Sequence, residues 1–361
     1  MTINVGPFKI GQIYVGPTKI GEAYAGPTKV FGQSKPQPTG GRFILAGNNY
    51  IFSSSDGEHW SYIPNPLAYG GNFKVLANGN KIFIYPSPYY VQAPRSILYS
   101  EDGQNWEVLS VPYSAYYNAT MCFGNNQYVL FTSDSNGTSI AASLHGNTWA
   151  SAPARTGDFA GLYRTSENIN YIDNTGEFIN IDNGHGTYYS FDIRSVNQWN
   201  LSSWSTSSIS ARKIVVGDNN VVLCFGGNTQ GWKYILRSTN NGSRFSRYQT
   251  LPDSRCTDVL DGIYNGGKFI CTIQGSATGN SAKIITSTDN GNTWSIPLAE
   301  GTYPSFLVGS LAAHDSTVIA LSSANDTNYV ISTNNASSWV AKELPVADSF
   351  KYVGSACWYT G

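Results

Sequence analysis

Carboxylate side chains are the residues of this chain whose chemistry could cleave a bond. Hydrolysis of a glycosidic bond needs two carboxylates about 5 to 10 Å apart. Six acids lie on or near predicted loops at one end of the predicted strands: Asp134, Asp158, Asp253, Asp258, Glu300 and Asp326. Their spacing singles out no pair. The sequence therefore favours a binding or structural protein over an enzyme, and glycan hydrolysis stays as the alternative.

Patterns for metal or nucleophile chemistry are missing from the sequence. The histidines are isolated from one another: His59, His145, His185 and His314. The cysteines are widely spaced, and most lie in apolar runs, which predicts buried free thiols: Cys122, Cys224, Cys256, Cys271 and Cys357. No Gly-x-Ser-x-Gly elbow, phosphate-binding loop or Cys-x-x-Cys pair occurs. We therefore expect no cofactor and no metal site.

Charge is sparse along the chain. Of 361 residues 12 % are charged, against about 25 % in typical globular proteins, and the formal net charge is −1. Without a run of Lys or Arg, the chain lacks the basic footprint of a nucleic-acid-binding protein. No stretch approaches the roughly 20 apolar residues of a membrane span. Gly, Ser, Asn, Thr and Tyr fill the polar positions, which suits turns and neutral hydrogen-bonding ligands.

A short polar turn that ends in an aromatic residue recurs along the chain. The aromatic residues are 43 to 50 positions apart: Trp60, Trp106, Trp149, Trp199, Phe245, Trp294 and Trp339. The clearest copy runs from Ser287 through Asp289 and Gly291 to Trp294. A period of this length indicates a repeat architecture. We name these segments, from the Ser to the aromatic residue, the closing turns.

The residues of a closing turn predict local hydrogen bonds. The acid can accept N–H groups of its own turn, the Ser hydroxyl can add a bond, and Gly permits a positive φ. The aromatic ring can then pack between neighbouring repeats. We expect a structural role, without catalysis, for Asp56, Trp60, Asp102, Trp106, Trp149, Phe245, Asp289, Trp294 and Trp339. Where Asn240 or Asn334 replaces the acid, the amide oxygen can also accept.

The segment 72–112 shows what positions these turns. It reads as four antiparallel strands joined by Asn-Gly and Asp-Gly hairpins, which is one blade of a β-propeller. The first repeat starts at Arg42 in the second-strand position, and the C-terminal segment 350–358 supplies a surplus first strand. Pairing these two closes the ring without an open edge. The sequence predicts an all-β fold, a seven-bladed β-propeller over residues 42–361.

The N-terminal segment 1–31 carries a different repeat. Three ten-residue copies each consist of a β-prone run, a Gly-Pro turn and a second short run. Residues 32–41, with two prolines, are predicted to be a linker. Strands this short cannot bury a core alone. We expect segment 1–31 to dock onto another protein or onto copies of itself in a homo-oligomer, for which a trimer is one option. A strand packed on the main domain is the alternative.

Two resemblances follow from these repeats. The closing turns resemble the Asp-box of sialidases and related β-propellers. The Arg-Ile-Pro element of sialidases does not occur, and seven blades differ from the six usual there, so this likeness implies the fold and no activity. The Gly-Pro-Thr-Lys repeat resembles N-terminal segments of bacteriophage tail and virion proteins. It implies a virion protein made in the bacterial cytoplasm and anchored through residues 1–31, which agrees with the absence of a secretory signal at the first residues.

The candidate binding residues lie on predicted loops at the end opposite the closing turns. Their side chains are mostly aromatic or polar: Tyr89, Tyr90, Arg95, Tyr116, Tyr117, Arg155, Asp158, Trp232 and Tyr303. Such side chains suit a sugar or a protein epitope, or they pack against one another. Three hypotheses remain open. The chain binds host-surface glycan or protein, degrades a glycan, or is a structural cap or adaptor of the particle.

Overall fold

Short β-strands build both parts of the chain. The computed structural model describes residues 13–15, 18–20, 22–25, 28–32, 40–67, 73–78, 81–86, 96–111, 118–124, 126–134, 137–152, 165–172, 177–182, 187–191, 202–205, 210–227, 233–242, 245–250, 256–275, 283–297, 308–322, 327–346 and 353–360. The chain divides into two compact units, residues 1–39 and residues 40–361. Within the described residues no helix is long and apolar enough to span a membrane.

The described residues of the first unit form two antiparallel hairpins. They are formed by β1 (Ile13–Val15) with β2 (Thr18–Ile20) and by β3 (Glu22–Ala25) with β4 (Thr28–Gly32). In both, a Gly-Pro pair separates the two strands. The two short strands that the sequence predicts on either side of each Gly-Pro pair are therefore confirmed for these two repeats.

The other described strands belong to the second unit. The first group is β5 (Arg42–Gly47), β6 (Tyr50–Ser54), β7 (Ser61–Pro64), β8 (Phe73–Asn78), β9 (Lys81–Pro86), β10 (Ser96–Ser100), β11 (Glu107–Ser110), β12 (Asn118–Gly124), β13 (Gln127–Asp134), β14 (Gly137–Ser143), β15 (Ala150–Ala152), β16 (Thr165–Ile172), β17 (Glu177–Asp182) and β18 (Thr187–Phe191). The second group is β19 (Ser202–Ser205), β20 (Ser210–Val216), β21 (Val222–Gly227), β22 (Lys233–Ser238), β23 (Ser246–Thr250), β24 (Cys256–Asn265), β25 (Lys268–Gly275), β26 (Lys283–Ser287), β27 (Val308–His314), β28 (Thr317–Ser322), β29 (Asn328–Ser332), β30 (Val340–Glu343) and β31 (Val353–Tyr359).

Within the described residues, these strands form small antiparallel sheets that we label A to G. Sheet A has the order β31-β5-β6-β7, and the others follow the chain: B (β8 to β11), C (β12 to β15), D (β16 to β19), E (β20 to β23), F (β24 to β26) and G (β27 to β30). In sheet F, a single bridge between Thr286 and Ser295 stands where the other sheets have a fourth strand. We call β31, β8, β12, β16, β20, β24 and β27 the first strands of their sheets.

The C-terminal strand completes the sheet that the start of the second unit leaves unfinished. Cys357 pairs with Ile44, and Trp358 pairs with Phe43. β5 thereby has a strand partner on each side, and sheet A gains a first strand like the other sheets. The pairing that the sequence predicts for the C-terminus is confirmed, and the structure confirms an all-β second unit.

The core lies between consecutive sheets. In β9, Ile82 and Ile84 pack into a cluster with sheet A, whereas Phe83 and Tyr85 pack into a cluster with sheet C. Successive side chains of a strand point to opposite faces, so a strand buried on both faces reads as a continuous apolar run. Outer strands such as β7, β11 and β30 are mostly exposed.

The first strands of all the sheets contact one another in sequence. Each contacts the first strand of the next sheet, and β31 contacts both β27 and β8. We call this set of strands the inner wall. In sheets B to G, the first strand ends where the chain turns into the second strand, and the closing turn lies at the same end of the sheet. In sheet A, β31 also ends there, because its last residues pair with the start of β5. We call this end of the sheets the closing-turn end.

Candidate functional site

All the residues that the sequence singles out for ligand binding lie outside the described residues. These are Tyr89, Tyr90, Arg95, Tyr116, Tyr117, Arg155, Asp158, Trp232 and Tyr303. Among the acids considered for glycan hydrolysis, Asp134 ends β13 and Asp258 lies in β24, and the other four are also outside that set. Binding at the loops opposite the closing turns therefore stays a prediction.

The acids of the closing turns bond within their own turns, as predicted. The Oδ1 of Asp102 accepts the N–H groups of Gln104 at 2.8 Å and Asn105 at 2.7 Å. The Oγ of Ser100 accepts the N–H of Gly103 at 2.9 Å, and Gly103 has a φ of 67°. A positive φ is costly for a residue with a Cβ, which explains the glycine.

The closing turn with Asn334 in place of the acid keeps the same kind of bonds. The Oδ1 of Asn334 accepts the N–H groups of Ser337 at 3.1 Å and Ser338 at 2.9 Å. This confirms that an amide can replace the acid. The longer turns also place one extra residue at positive φ, here Asn335 with 51°, and Ala336 takes the glycine position with 60°.

The aromatic residues of the closing turns pack onto the preceding sheet. Trp60 of sheet A meets Tyr329 of sheet G at a centroid distance of 5.9 Å, and its Nε1 donates to the Tyr329 hydroxyl at 3.1 Å. Trp149 of sheet C meets Phe83 of sheet B at 6.1 Å. Trp199 lies outside the described residues. The other aromatic residues of the closing turns are partly or fully buried: Trp106, Phe245, Trp294 and Trp339. Packing between neighbouring repeats is confirmed for these pairs.

The hydrogen bonds of the closing turns stabilise the ionised form of Asp56, Asp102 and Asp289. Burial raises the pKa of Asp102, but hydrogen bonds from Asn105, Gln104 and Ser100 outweigh it and hold the pKa below its ordinary value. The same balance lowers the pKa of Asp56 and of Asp289. Each carboxylate therefore favours its ionised form and accepts hydrogen bonds from its own turn, which agrees with the predicted structural role.

The inner wall carries a polar network across sheets E, F, G and A. Lys213 Nζ lies 2.5 Å from Asp261 Oδ1, with side chains 22 % and 15 % exposed. Asp261 Oδ2 accepts the N–H of Leu311 at 2.8 Å and the hydroxyl of Ser310 at 3.2 Å. The Oγ of Ser310 in turn accepts the N–H of Ala356 at 3.0 Å. One carboxylate and one hydroxyl thus connect four first strands.

Irregular strand pairing makes this network possible. The register shifts beside Lys213, Asp261 and Leu311, and again near Ala356. A β-bulge disrupts the ladder locally and can redirect side chains. Leu311 and Ala356 keep their ladder partners, and their N–H groups are accepted by Asp261 and Ser310 of the neighbouring first strands.

A groove of about 610 Å³ lies on the other side of the inner wall, along the first strands of sheets B, C and D. It is lined by Leu76, Ala77, Asn78, Met121, Cys122, Phe123, Gly124, Asn126, Asn170 and Tyr171. These residues lie in the last part of β8, β12 and β16 or just after, and hence at the closing-turn end. The sequence directed attention to the opposite end, and no local motif marks this groove.

Tyr171 forms one side of this groove by packing on a glycine. A Cβ built at Gly124 would lie 2.2 Å from Cγ of Tyr171, so the ring rests directly on the backbone of β12. The same arrangement recurs at Gly217, where a Cβ would lie 2.3 Å from Cζ of Phe269. Within the described residues, no three His, Cys, Asp or Glu side chains lie close enough to hold a metal ion.

Comparisons with known proteins support the fold. No family model matches the chain, and no curated protein matches it by sequence. A candidate 6-phosphogluconolactonase from Bacteroides uniformis is 10 % identical with a TM-score of 0.63, over 89 % of this chain and 99 % of that one. Virginiamycin B lyase from Staphylococcus aureus is 10 % identical with a TM-score of 0.57, over 77 % of this chain and 85 % of that one.

A third similar structure is YCF48 bound to a D1 peptide, 14 % identical with a TM-score of 0.51, over 75 % of this chain and 81 % of that one. These neighbours are β-propeller-type folds. The second unit is therefore a propeller-like all-β domain of small antiparallel sheets. At these identities the likeness concerns the fold alone.

Proposed function

We propose that the chain is a non-enzymatic component of a bacteriophage particle, with residues 1–31 attached to the particle and the second unit displayed to bind host-surface glycan or protein. In this proposal the second unit is a seven-bladed β-propeller with Asp-box turns, closed by β31. The partners are other virion proteins at the N-terminus and a host-surface molecule at the propeller.

The two-part organisation of the chain carries this proposal. The first unit consists of hairpins with strands of three to five residues. Strands of this length gain stability by packing on something larger. Their ten-residue repeat is the feature that resembles attachment segments of phage virion proteins, which favours a docking role.

The construction of the second unit favours display of a rigid surface. Its closing turns satisfy their own acids, and clusters of apolar side chains fill the space between consecutive sheets. The cyclic contacts among the first strands, including β31 with β27 and β8, support a closed ring of seven sheets. A rigid scaffold of this kind presents loops and grooves for binding.

A deletion experiment tests the proposal. Removal of residues 1–31 should leave a chain that adheres to host cells as the full-length chain does but is absent from assembled particles. Adhesion is measured with fluorescently labelled protein, and incorporation is measured by immunoblot of purified particles. The proposal fails if the full-length chain does not adhere and the shortened chain still enters particles.

A further inference from the structure

We propose that the groove along the first strands of sheets B, C and D binds a neutral saccharide of one or two sugar units. The inference rests on the proposed function, because the saccharide would belong to the glycan that the particle recognises. The proposed saccharide site lies at the closing-turn end, whereas the sequence alone predicts ligand binding at the loops of the opposite end.

The groove has the size and construction of a ligand site. Its volume of about 610 Å³ falls within the roughly 300 to 1,000 Å³ of small-molecule pockets. Three neighbouring strands supply most of its lining residues, so the wall is preformed. The ring of Tyr171 is held in place because it rests on the backbone of Gly124.

Amide side chains give the groove its hydrogen-bonding capacity. Asn78, Asn126 and Asn170 all line it. Among the described residues, the Asn126 side chain has no hydrogen-bond partner, the Asn78 side chain bonds to Tyr128, and Asn170 Nδ2 donates to the Ile214 carbonyl at 3.4 Å. An amide both donates and accepts, as a sugar hydroxyl does, so each amide can bond hydroxyls in either sense.

Apolar and aromatic side chains complete the wall. Leu76, Met121 and Phe123 lie beside the amides, and Tyr171 adds an aromatic ring with a polar hydroxyl. Apolar lining with a few placed polar groups is typical of small-molecule sites. Such a lining suits a sugar ring, because the apolar side chains can contact its C–H faces and the amides can bond to the hydroxyls at its edge.

The described residues that line the groove include no Lys, Arg, Asp or Glu, which favours a neutral ligand. Lys81 follows the β8–β9 turn next to the groove, and its ammonium donates to the His145 carbonyl at 2.7 Å in the next closing turn. Burying a charged sugar such as a sialic acid without a paired cation would be unfavourable. The expected ligands are therefore hexoses and N-acetylhexosamines.

Binding of defined sugars to the full-length chain tests the inference. The probes are methyl glucoside, methyl galactoside, N-acetylglucosamine, cellobiose and lactose, with sialyllactose as the charged comparison, measured by saturation-transfer NMR and titration. We expect at least one neutral probe to bind. The double variant Asn78→Ala, Asn126→Gly should weaken binding about tenfold or more, since each lost hydrogen bond contributes about a factor of five.

Asn219→Gly is the matched control. Asn126 and Asn219 both lie in turns between first and second strands, with φ values of 58° and 55°, and glycine accepts both conformations. Asn219 is outside the groove, so its variant should bind like the parent chain. Equal thermal midpoints for all variants show that they fold. If no neutral probe binds, or if the double variant binds as tightly as the control, the inference is wrong.

Host-cell adhesion separates this inference from the proposed function. If the double variant adheres as well as the parent chain, the groove is not the recognition site, and the binding function stands. If neutral sugars bind in the groove but the parent chain does not adhere to host cells, the groove site stands, and the host-recognition role fails.

Discussion

Two arcs of the inner wall use polar residues in opposite ways. On sheets E, F, G and A, Asp261 and Ser310 bond to neighbouring strands, and one carboxylate receives Lys213 and the N–H of Leu311. On sheets B, C and D, the amides of Asn78 and Asn126 face a groove. We call these the network arc and the groove arc.

The difference between the arcs separates stability from binding. Polar groups that satisfy one another contribute to folding, and removing one leaves its buried partners unsatisfied. Polar groups that face an open groove contribute little to folding and remain able to bind a ligand. In our proposal the same repeat therefore serves two purposes, and Asn170, where the arcs meet, both lines the groove and bonds across to Ile214 of sheet E.

The largest effect is expected at Asp261. Replacement Asp261→Ala should lower the free energy of unfolding by about 2 to 4 kcal/mol, because it leaves the Lys213 ammonium and the N–H of Leu311 without their acceptor. Urea denaturation measures this loss. Asp261→Asn, which keeps an acceptor for the N–H, should cost less. A change below about 0.5 kcal/mol in the alanine variant would remove the basis for the network arc.

An intermediate loss of stability is expected at Gly124 and Gly217, on which aromatic rings of the next sheet rest. Gly124→Ala and Gly217→Ala should each cost about 1 to 3 kcal/mol of stability, because the new Cβ must displace Tyr171 or Phe269 respectively. Only Gly124→Ala should also weaken saccharide binding, since Tyr171 lines the groove. Denaturation and sugar titration on both variants check this. Equal loss of binding in the two variants contradicts the assignment of the groove arc.

The smallest effect on stability is expected from lowering the pH, and this effect should not differ between the two arcs. Asp56, Asp102 and Asp289 have folded-state pKa values below the ordinary 3.8. The unfolded chain therefore binds protons first as pH falls. Their contribution is present above about pH 5 and declines as pH falls through 3.8 toward the folded values.

Replacing these acids tests the pH dependence directly. A triple variant with Asn at positions 56, 102 and 289 should lose less thermal stability between pH 6 and pH 3 than the parent chain. Asn334 shows that an amide keeps the turn, so the variant should still fold. Thermal midpoints across this pH range provide the measurement, and parallel curves for the two chains contradict it.

Local patterns explain what the sequence could predict. The Ser, acid, Gly and aromatic residues of a closing turn lie within eight positions, and their hydrogen bonds run within the same segment. The surplus C-terminal strand was recognisable because the first repeat lacks its first strand, and its pairing with β5 is confirmed. The closing turns could therefore be predicted from neighbouring residues, and the pairing of β31 with β5 could be predicted by counting the strands of each repeat.

Features formed by distant residues could not be predicted in this way. Lys213 and Asp261 come from different repeats, and each follows a shift in strand register, which leaves no clear mark in a single sequence. The groove combines Asn78, Asn126 and Tyr171 from three repeats, one of which is degenerate in sequence. The long aromatic loops at the opposite end were the stronger local signal, and they remain a prediction.

A map of saccharide-induced changes tests the contrast between the arcs most directly. The full-length chain, labelled with ¹⁵N and ²H, is titrated with the neutral sugar that binds best, and amide signals are followed by NMR. We predict shifts for the amides of Asn78, Asn126 and Tyr171, and unchanged signals for Lys213, Asp261 and Leu311. Shifts confined to the network arc, or to the loops opposite the closing turns, would contradict the account.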